Sequence, residues 1–339
     1  MNDEKFKAMI VTEVEDKKFI REIGEKSIEE LPEGDVLIKV SYSSLNYKDA
    51  LSVIGNKGVT RKYPHTPGVD ASGVVSQSTN SNFNPGDNVL VTGYDLGMNT
   101  SGGFGQFIRV PSEWVVNVPD NMSLKECMMY GTAGFTAALS VFKLDEHGIT
   151  PDKGEILVTG ATGGVGSTAV AILSKAGYHV IASTGKMEEN QFLIDIGAKG
   201  VISREDSIDT SGRLLLKGRW AGVVDTVGGE ILSTAIKSTK DRGVVTCCGN
   251  VASHELNINV YPFILRGVSL IGIDSENQPI ELKYKIWEKI STVWKLDNLE
   301  YLTKEISFDE LDENIDLILE GKQKGRVVLD LWKKIKLNH

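Results

Sequence analysis

The amino-acid sequence predicts a two-domain α/β protein, in which a β-rich domain is joined to a doubly wound parallel sheet. Three observations support this prediction. The 339 residues are more than one six-stranded dinucleotide-binding sheet requires. The first third reads as short β-rich runs separated by Asn, Pro and Gly clusters, and from about Ser123 strands alternate with helices.

The β-rich part contains six predicted strands. They are Ala8–Val11, Phe19–Glu22, Val36–Tyr42, Val69–Val75, Asn88–Thr92 and Phe104–Pro111. Such a density of short strands predicts a small barrel or sandwich.

The second part begins with two predicted helices, Leu124–Met129 and Gly134–Leu144, which precede six parallel strands. These strands are Ile156–Thr159, His179–Ala182, Gly200–Ser203, Gly222–Thr226, Gly243–Gly249 and Val268–Gly272. Right-handed crossovers would cover both faces of this sheet with helices. The last strand, Val268–Ile273, should lie at its edge.

The tail after Gly272 is expected to return to the β-rich domain, because the six-stranded sheet is then complete. Its predicted elements are a helix at Leu282–Trp294, a strand at Thr303–Ser307, a helix at Glu310–Glu320 and a strand at Arg326–Leu331. We therefore expect 1–124 and 274–339 to form one domain and 125–273 the other.

The most informative motif is a glycine cluster between the apolar run Ile156–Thr159 and the amphipathic segment Val165–Lys175. A strand, a glycine-rich turn and a helix in this order are typical of dinucleotide-binding units. The backbone N–H groups of the turn and the helix dipole favour a pyrophosphate. The turn residues predicted to bind it are Thr162, Gly163, Gly164 and Val165.

The end of the second strand indicates which dinucleotide binds. A free ribose 2′-hydroxyl is usually bound by an acidic residue about 20 residues after the first glycine. This chain has Ser183, Thr184, Gly185 and Lys186 there, and hydroxyls with an ammonium suit a 2′-phosphate. We predict NADPH rather than NADH. The alternative for Lys186 alone is a solvated lysine at the start of the next helix.

Composition excludes several classes of protein. A net charge of −9 argues against nucleic acid or an anionic membrane as the main partner. No apolar run approaches the roughly 20 residues that span a bilayer, and the charged N-terminus does not resemble a signal peptide. We expect a cytoplasmic protein.

The three cysteines show no metal-site spacing. Cys247 and Cys248 are adjacent in a predicted strand, so their side chains should point to opposite faces. They are interpreted as small core residues, with a redox role as the alternative.

Six segments in order resemble the medium-chain dehydrogenase/reductase superfamily, and the resemblance runs essentially end to end. They read SSLNYKDAL (Ser43–Leu51), PGVDASG (Pro67–Gly73), GTAGFTAAL (Gly131–Leu139), VTGATGGVGSTAVAIL (Val158–Leu173), WAGVVDTVG (Trp220–Gly228) and PFILRGVSLIGIDS (Pro262–Ser275). They are similar to the quinone-oxidoreductase-like branch, and more narrowly to the subgroup of NADPH-dependent acryloyl-CoA reductases. The resemblance implies a GroES-like catalytic domain, a Rossmann domain and a homodimer formed by pairing of two sheet edges.

Zinc-dependent members of this superfamily have metal ligands in three of these segments. At the positions in question this chain has Asn46, Val69 and, near Gly131–Gly134, no cysteine. The four-cysteine lobe that binds structural zinc is also missing. Without a Lewis acid, the resemblance implies hydride transfer to an activated C=C or to a quinone.

The resemblance also places residues around the cofactor. Tyr47 would lie beside the nicotinamide as the catalytic residue, although a tyrosine at the rim that only packs is the alternative. Asn46 and Asp49 are expected to fix the Tyr47 loop, and Asp70 either orients Tyr47 or a substrate water or ties strands together. A second set is expected to contact the cofactor: Arg204 (or an exposed loop arginine), Gly249, Asn250, Ser275 and Arg326.

The leading hypothesis is therefore a zinc-free, NADPH-dependent reductase of an α,β-unsaturated acyl-CoA. A quinone is the alternative acceptor. A protein of another class, which binds NADPH for a structural or redox-sensing role without turnover, also fits the sequence.

Overall fold

The computed structural model describes residues 4–333; residues 1–3 and 334–339, the outermost parts of the first expected domain, lie outside it. The strands are β1 Lys5–Glu15, β2 Lys18–Ser27, β3 Val36–Leu45, β4 Asp70–Ser78, β5 Asn88–Thr92, β6 Phe107–Val110, β7 Val116–Asn117, β8 Glu155–Val158, β9 His179–Thr184, β10 Gly200–Ser203, β11 Trp220–Asp225, β12 Thr239–Cys247, β13 Ser269–Gly272, β14 Thr303–Ile306 and β15 Arg326–Asp330. The helices are α1 Tyr47–Val53, α2 Leu124–Glu146, α3 Gly164–Lys175, α4 Asn190–Asp195, α5 Gly229–Lys237, α6 Tyr261–Arg266, α7 Ile280–Ser291, α8 Leu299–Leu302 and α9 Leu311–Leu319.

The chain divides into two compact units. The first contains residues 1–132, 276–285 and 299–339, and the second contains 133–275 and 286–298. The second part of α7 and the segment to Asn298 thus group with the nucleotide-binding sheet, whereas the sequence assigned all of 274–339 to the first domain.

The first unit is built on a seven-stranded sheet in the order β14-β15-β3-β4-β5-β7, with β6 paired to β3. The hairpin of β1 and β2 forms a separate two-stranded sheet. Strand β15 pairs antiparallel with β3 and parallel with β14, so the C-terminal tail completes this sheet, as predicted. Aliphatic side chains that alternate along these strands form the buried core.

The second unit is the predicted doubly wound parallel sheet. Its strand order is β10-β9-β8-β11-β12-β13, and every pair is parallel. The order reverses next to β8, and ligands of such sheets bind at this switch point, beyond the carboxyl ends of the strands. Strand β13 lies at one edge, as predicted.

Gly131 interrupts helix α2. Its backbone has φ +51° and ψ −157°, which are not helical values. The sequence predicted two helices with a gap at this place, and the structure confirms it. Within residues 4–333, no helix is long and apolar enough to cross a membrane.

Candidate cofactor and active site

The glycine-rich turn lies at the carboxyl end of β8. Gly160 has φ +58°, a conformation that favours glycine. A Cβ atom on Gly166 would lie 2.3 Å from the carbonyl oxygen of Gly160, so the helix can pack against the turn only with glycine there. Helix α3 begins at Gly164, with Gly163 as its N-cap. The N-terminus of this twelve-residue helix is suited to bind a pyrophosphate.

The hydroxyl groups at the end of β9 are buried. Ser183 and Thr184 are each 2% exposed. The Ser183 hydroxyl bonds to that of Ser207 at 2.6 Å. The Thr184 hydroxyl bonds to that of Thr162 at 3.2 Å and accepts the backbone N–H of Lys186 at 3.0 Å. Thr184 therefore connects the glycine-rich turn to the segment that was predicted to bind the 2′-phosphate.

The cationic residues of this segment, Arg204 and Lys186, are less buried than Ser183 and Thr184. The guanidinium of Arg204, an exposed residue, lies against the backbone of Gly185, because a Cβ atom at position 185 would be 2.6 Å from Nη2 of Arg204. Lys186 follows Gly185 and is half-buried. Gly185 at the end of β9 thus has one cationic residue, Lys186, next to it in sequence and the guanidinium of another, Arg204, against it in space, which favours an anionic ligand.

The residues predicted to lie near the nicotinamide fall on two different segments of the second unit. Gly249 and Asn250 follow β12, and a Cβ atom on Gly249 would lie 1.9 Å from the carbonyl oxygen of Thr226. The Ser275 hydroxyl accepts a hydrogen bond from Thr136 at 2.7 Å. Only glycine permits the close approach at position 249.

A buried carboxylate that could not be recognised from the sequence lies at the carboxyl ends of the same parallel strands. Asp225 ends β11 and accepts hydrogen bonds from the Thr159 hydroxyl at 2.8 Å and the Gly228 N–H at 2.9 Å. Burial raises its pKa. Burial and the Asp225 carboxylate also raise the pKa values of the half-buried thiols of Cys247 and Cys248, which keeps both thiols protonated.

In the first unit, the loop that carries Tyr47 is held by two side chains. Asn46 is the N-cap of α1, and its N–H donates to the Asp49 carboxylate at 2.8 Å. Asp49 also accepts the N–H of Val69 at 2.8 Å, which confirms that Asn46 and Asp49 fix this loop. Tyr47 begins α1 and is 41% exposed.

Asp70 is the centre of a buried cluster of polar side chains. Its carboxylate accepts the N–H of Thr132 at 2.9 Å and the Thr132 hydroxyl at 2.6 Å. It also accepts hydrogen bonds from the side-chain amide of Asn46 at 2.8 Å and from the Ser44 hydroxyl. Of the two alternatives left by the sequence, the structure supports Asp70 as a residue that ties elements together.

Arg326 provides the positive charge of this cluster. Its guanidinium donates to the Ser44 hydroxyl at 2.8 Å and to the Asn46 side-chain oxygen at 3.1 Å, and it lies 3.9 Å from the Asp70 carboxylate. Only 3% of Arg326 is exposed. Burial lowers its pKa, and the carboxylates of Asp70 and Asp49 oppose this shift. This set of protein partners argues against the predicted direct contact of Arg326 with the cofactor.

Gly131 makes the cluster possible. A Cβ atom at this position would lie 2.4 Å from Oγ of Ser44, 2.6 Å from Oδ2 of Asp70 and 2.8 Å from Nη2 of Arg326. The helix break at Gly131 therefore brings the chain directly against three buried polar side chains. In the sequence, Gly131 stands out only as part of a family motif.

The residues that replace the zinc ligands do not fit a catalytic zinc. The side-chain amide of Asn46 is hydrogen bonded to Asp70 and Arg326, and Val69 offers no donor atom. Within residues 4–333, no three His, Cys, Asp or Glu side chains are grouped so that they could hold a metal ion.

The doubly wound sheet, its glycine-rich turn and the cationic pair beyond β9 define a nucleotide-dependent enzyme of the dehydrogenase class. Residues 32–120 match the alcohol dehydrogenase GroES-like domain, and residues 164–292 match the zinc-binding dehydrogenase domain. The chain belongs to the medium-chain dehydrogenase/reductase superfamily and is an oxidoreductase. The predicted fold, family and enzyme class are thereby confirmed.

Two relatives are informative. Acrylyl-CoA reductase AcuI of Ruegeria pomeroyi is 40% identical over 327 residues, which cover 96% of this chain and 99% of that protein. YhfP of Bacillus subtilis, provisionally named a quinone oxidoreductase, is 46% identical over 90% of this chain and 93% of its own length.

Solved structures extend the likeness to three dimensions. The structure of YhfP with NAD bound has a TM-score of 0.94 at 43% identity and covers 97% of this chain and 100% of that chain. YhdH of Escherichia coli K-12, solved with bound NADPH, has a TM-score of 0.92 at 38% identity and covers 95% and 99% of the two chains.

Proposed function

We propose that this protein is a zinc-independent reductase that uses NADPH to reduce the activated C=C of an α,β-unsaturated acyl-CoA such as acryloyl-CoA. The observation that carries the substrate class is the end-to-end similarity to the acrylyl-CoA reductase of R. pomeroyi. The cluster around Asp70, which uses Asn46 where related enzymes bind zinc, supports metal-free chemistry.

The second unit fits NADPH. Thr162, Gly163, Gly164 and Val165 would hold the pyrophosphate, because they form the turn and the first residues of α3. Lys186 and Arg204 would bind the 2′-phosphate on either side of Gly185. Ser183 and Thr184 would shape this segment through their buried hydroxyls, whereas Gly249, Asn250 and Ser275 would border the nicotinamide ribose.

When bound, NADPH supplies a hydride from nicotinamide C4 to the β-carbon of the thioester. Negative charge then accumulates on the thioester oxygen, and hydrogen-bond donors of the chain must stabilise it. Tyr47 is the side chain we assign to positioning the reacting groups or donating a proton, because it is an exposed residue on a segment held by Asn46, Asp49 and Asp70. Arg326 would act through Asn46, as a positioning residue.

A quinone is the second candidate acceptor, favoured by the similarity to YhfP. NADPH oxidation with acryloyl-CoA, crotonyl-CoA and 1,4-benzoquinone separates the possibilities. We expect turnover of the two thioesters without added metal. Turnover of the quinone alone would reject the proposal that the substrate is a thioester. Tight NADPH binding with no turnover of any acceptor would reject the proposal that the protein is a reductase of this class.

We further propose a cytoplasmic homodimer, formed by antiparallel pairing of two β13 edges. Exposed apolar side chains near this edge support it, among them Ile264, 68% exposed, and Leu265, 65% exposed. Size-exclusion chromatography with light scattering should give twice the mass of one chain, and Ile264→Asp should shift it towards the monomer. A monomeric wild-type protein would reject the dimer.

A further inference from the structure

Two adjacent cations in the first unit have no counter-ion among residues 4–333. Arg61 and Lys62 lie in the segment between α1 and β4, and both are exposed. Neither side chain forms an ion pair with any of residues 4–333. By contrast, Lys57 of the same segment pairs with Glu13 at 2.7 Å, and Lys48 of α1 pairs with Glu276.

The segment that carries the two cations is held in place on both sides. The Thr60 hydroxyl bonds to that of Ser52 at 2.7 Å, and the Tyr63 hydroxyl donates to the carbonyl oxygen of Ser52 at 2.6 Å. The N–H of Arg61 donates to the side chain of Asn99 at 3.2 Å. A ligand that binds these cations would therefore not have to order the backbone, which reduces the entropy lost on binding.

Arg61 and Lys62 lie beside the C-terminal end of α1, because Thr60 and Tyr63 on either side of them both bond to Ser52. Tyr47 begins the same helix. Helix α1 has seven residues, so it is about 10 Å long. An acyl-CoA has its reactive thioester at one end of a long pantetheine arm and its phosphates at the other. With the thioester near Tyr47, the pantetheine arm would extend along α1 and place the phosphates near Arg61 and Lys62.

Charge also favours an anionic ligand at this place. The protein carries a net charge of −9, so its overall field repels a polyanionic substrate. Local unpaired cations would counteract this repulsion, and arginine binds phosphate oxygens in a bidentate manner.

We infer that Arg61 and Lys62 form the phosphate-binding subsite for the coenzyme A part of the substrate. This inference rests on the proposed acyl-CoA reductase activity and names the residues that distinguish acyl-CoA from smaller thioesters.

The test compares two substrates in the NADPH-loaded enzyme: acryloyl-CoA, and the acryloyl thioester of pantetheine, which lacks the phosphates. The ratio of their kcat/KM values measures what the phosphates contribute. In Arg61→Ala/Lys62→Ala we expect the kcat/KM of acryloyl-CoA divided by that of the pantetheine thioester to fall about tenfold. The fall should come from a higher KM for acryloyl-CoA, because two charge-assisted contacts are lost. The difference should shrink at high salt.

Two further variants complete the design. Lys153→Ala/Lys199→Ala removes the same charge from exposed positions before β8 and β10, at the opposite end of the parallel sheet from the glycine-rich turn, and should keep the ratio. Arg61→Lys/Lys62→Arg retains both charges and should restore most of it.

An unchanged ratio in Arg61→Ala/Lys62→Ala would overturn the subsite while leaving the reductase proposal intact, and so would an equal fall in the Lys153/Lys199 control. A wild-type enzyme that turns over neither thioester would instead overturn the proposed function, and the subsite with it.

Discussion

Replacing Gly131 with alanine should damage the first unit severely. The glycine has φ +51° and ψ −157°, a backbone conformation that costs other residues about 1–3 kcal/mol. The new methyl group would also lie 2.4 Å from Oγ of Ser44 and 2.6 Å from Oδ2 of Asp70. Displacing well-packed groups typically costs a further 1–3 kcal/mol. We expect a total loss of about 2–6 kcal/mol in the free energy of unfolding.

Gly321→Ala is the matched control. Gly321 also belongs to the first unit and has φ +67°, but no atom lies within 4 Å of the position of an added Cβ atom. The control should therefore lose only the cost of the left-handed conformation, about 1–2 kcal/mol. Urea unfolding followed by circular dichroism measures both variants, and isothermal titration should show that Gly131→Ala still binds NADPH. Equal losses in the two variants would refute the steric reasoning.

Three further predictions concern the two sites. In fluorescence titrations, Lys186→Ala and Arg204→Ala should each lower the affinity for NADPH about 10-fold or more with little effect on the affinity for NADH, since one charge-assisted bond to the 2′-phosphate is lost. Equal losses of affinity for both cofactors would reject the assignment. Burial and the Asp70 carboxylate raise the pKa of Asp49 from 3.8 to about 7, so its stabilising contribution is complete below pH 3.8 and is lost as the pH rises through about 7. Asp49→Asn should therefore flatten the decline of the urea midpoint between pH 5 and pH 8, and an unchanged slope would contradict this origin. Asp70→Asn should cost about 3–5 kcal/mol in urea unfolding because it removes the carboxylate that lies 3.9 Å from the buried guanidinium of Arg326. A loss below 1 kcal/mol would show that the cluster is not held by charge.

The parallel sheet could be predicted from the sequence because its strands are short apolar runs between helices, with glycines at the turn. The hairpin was predicted too short. Strand β1 runs from Lys5 to Glu15, but the ends of both strands are largely exposed and polar, so only Ala8–Val11 and Phe19–Glu22 stood out.

Roles that depend on contacts distant in sequence could not be predicted. The position of Arg326 follows from the pairing of β15 with β3, which brings it to Ser44 and Asn46, about 280 positions earlier. Ser183 and Thr184 point to opposite faces of a strand, and both are buried because helices cover both faces of the sheet. Their hydroxyls were expected to bind the cofactor because they end the second strand of the sheet, and their bonds to Ser207 and Thr162 could not be read from the sequence.

The most direct test of metal-free alkene reduction is the transfer of deuterium from NADPH to acryloyl-CoA. The NADPH is labelled at the hydride position of nicotinamide C4, and a metal chelator is present. We predict that mass spectrometry and NMR will find one deuterium on the β-carbon of the propionyl-CoA product, at a rate that the chelator does not change. Product without deuterium, no propionyl-CoA, or activity that the chelator abolishes would contradict the proposed reaction.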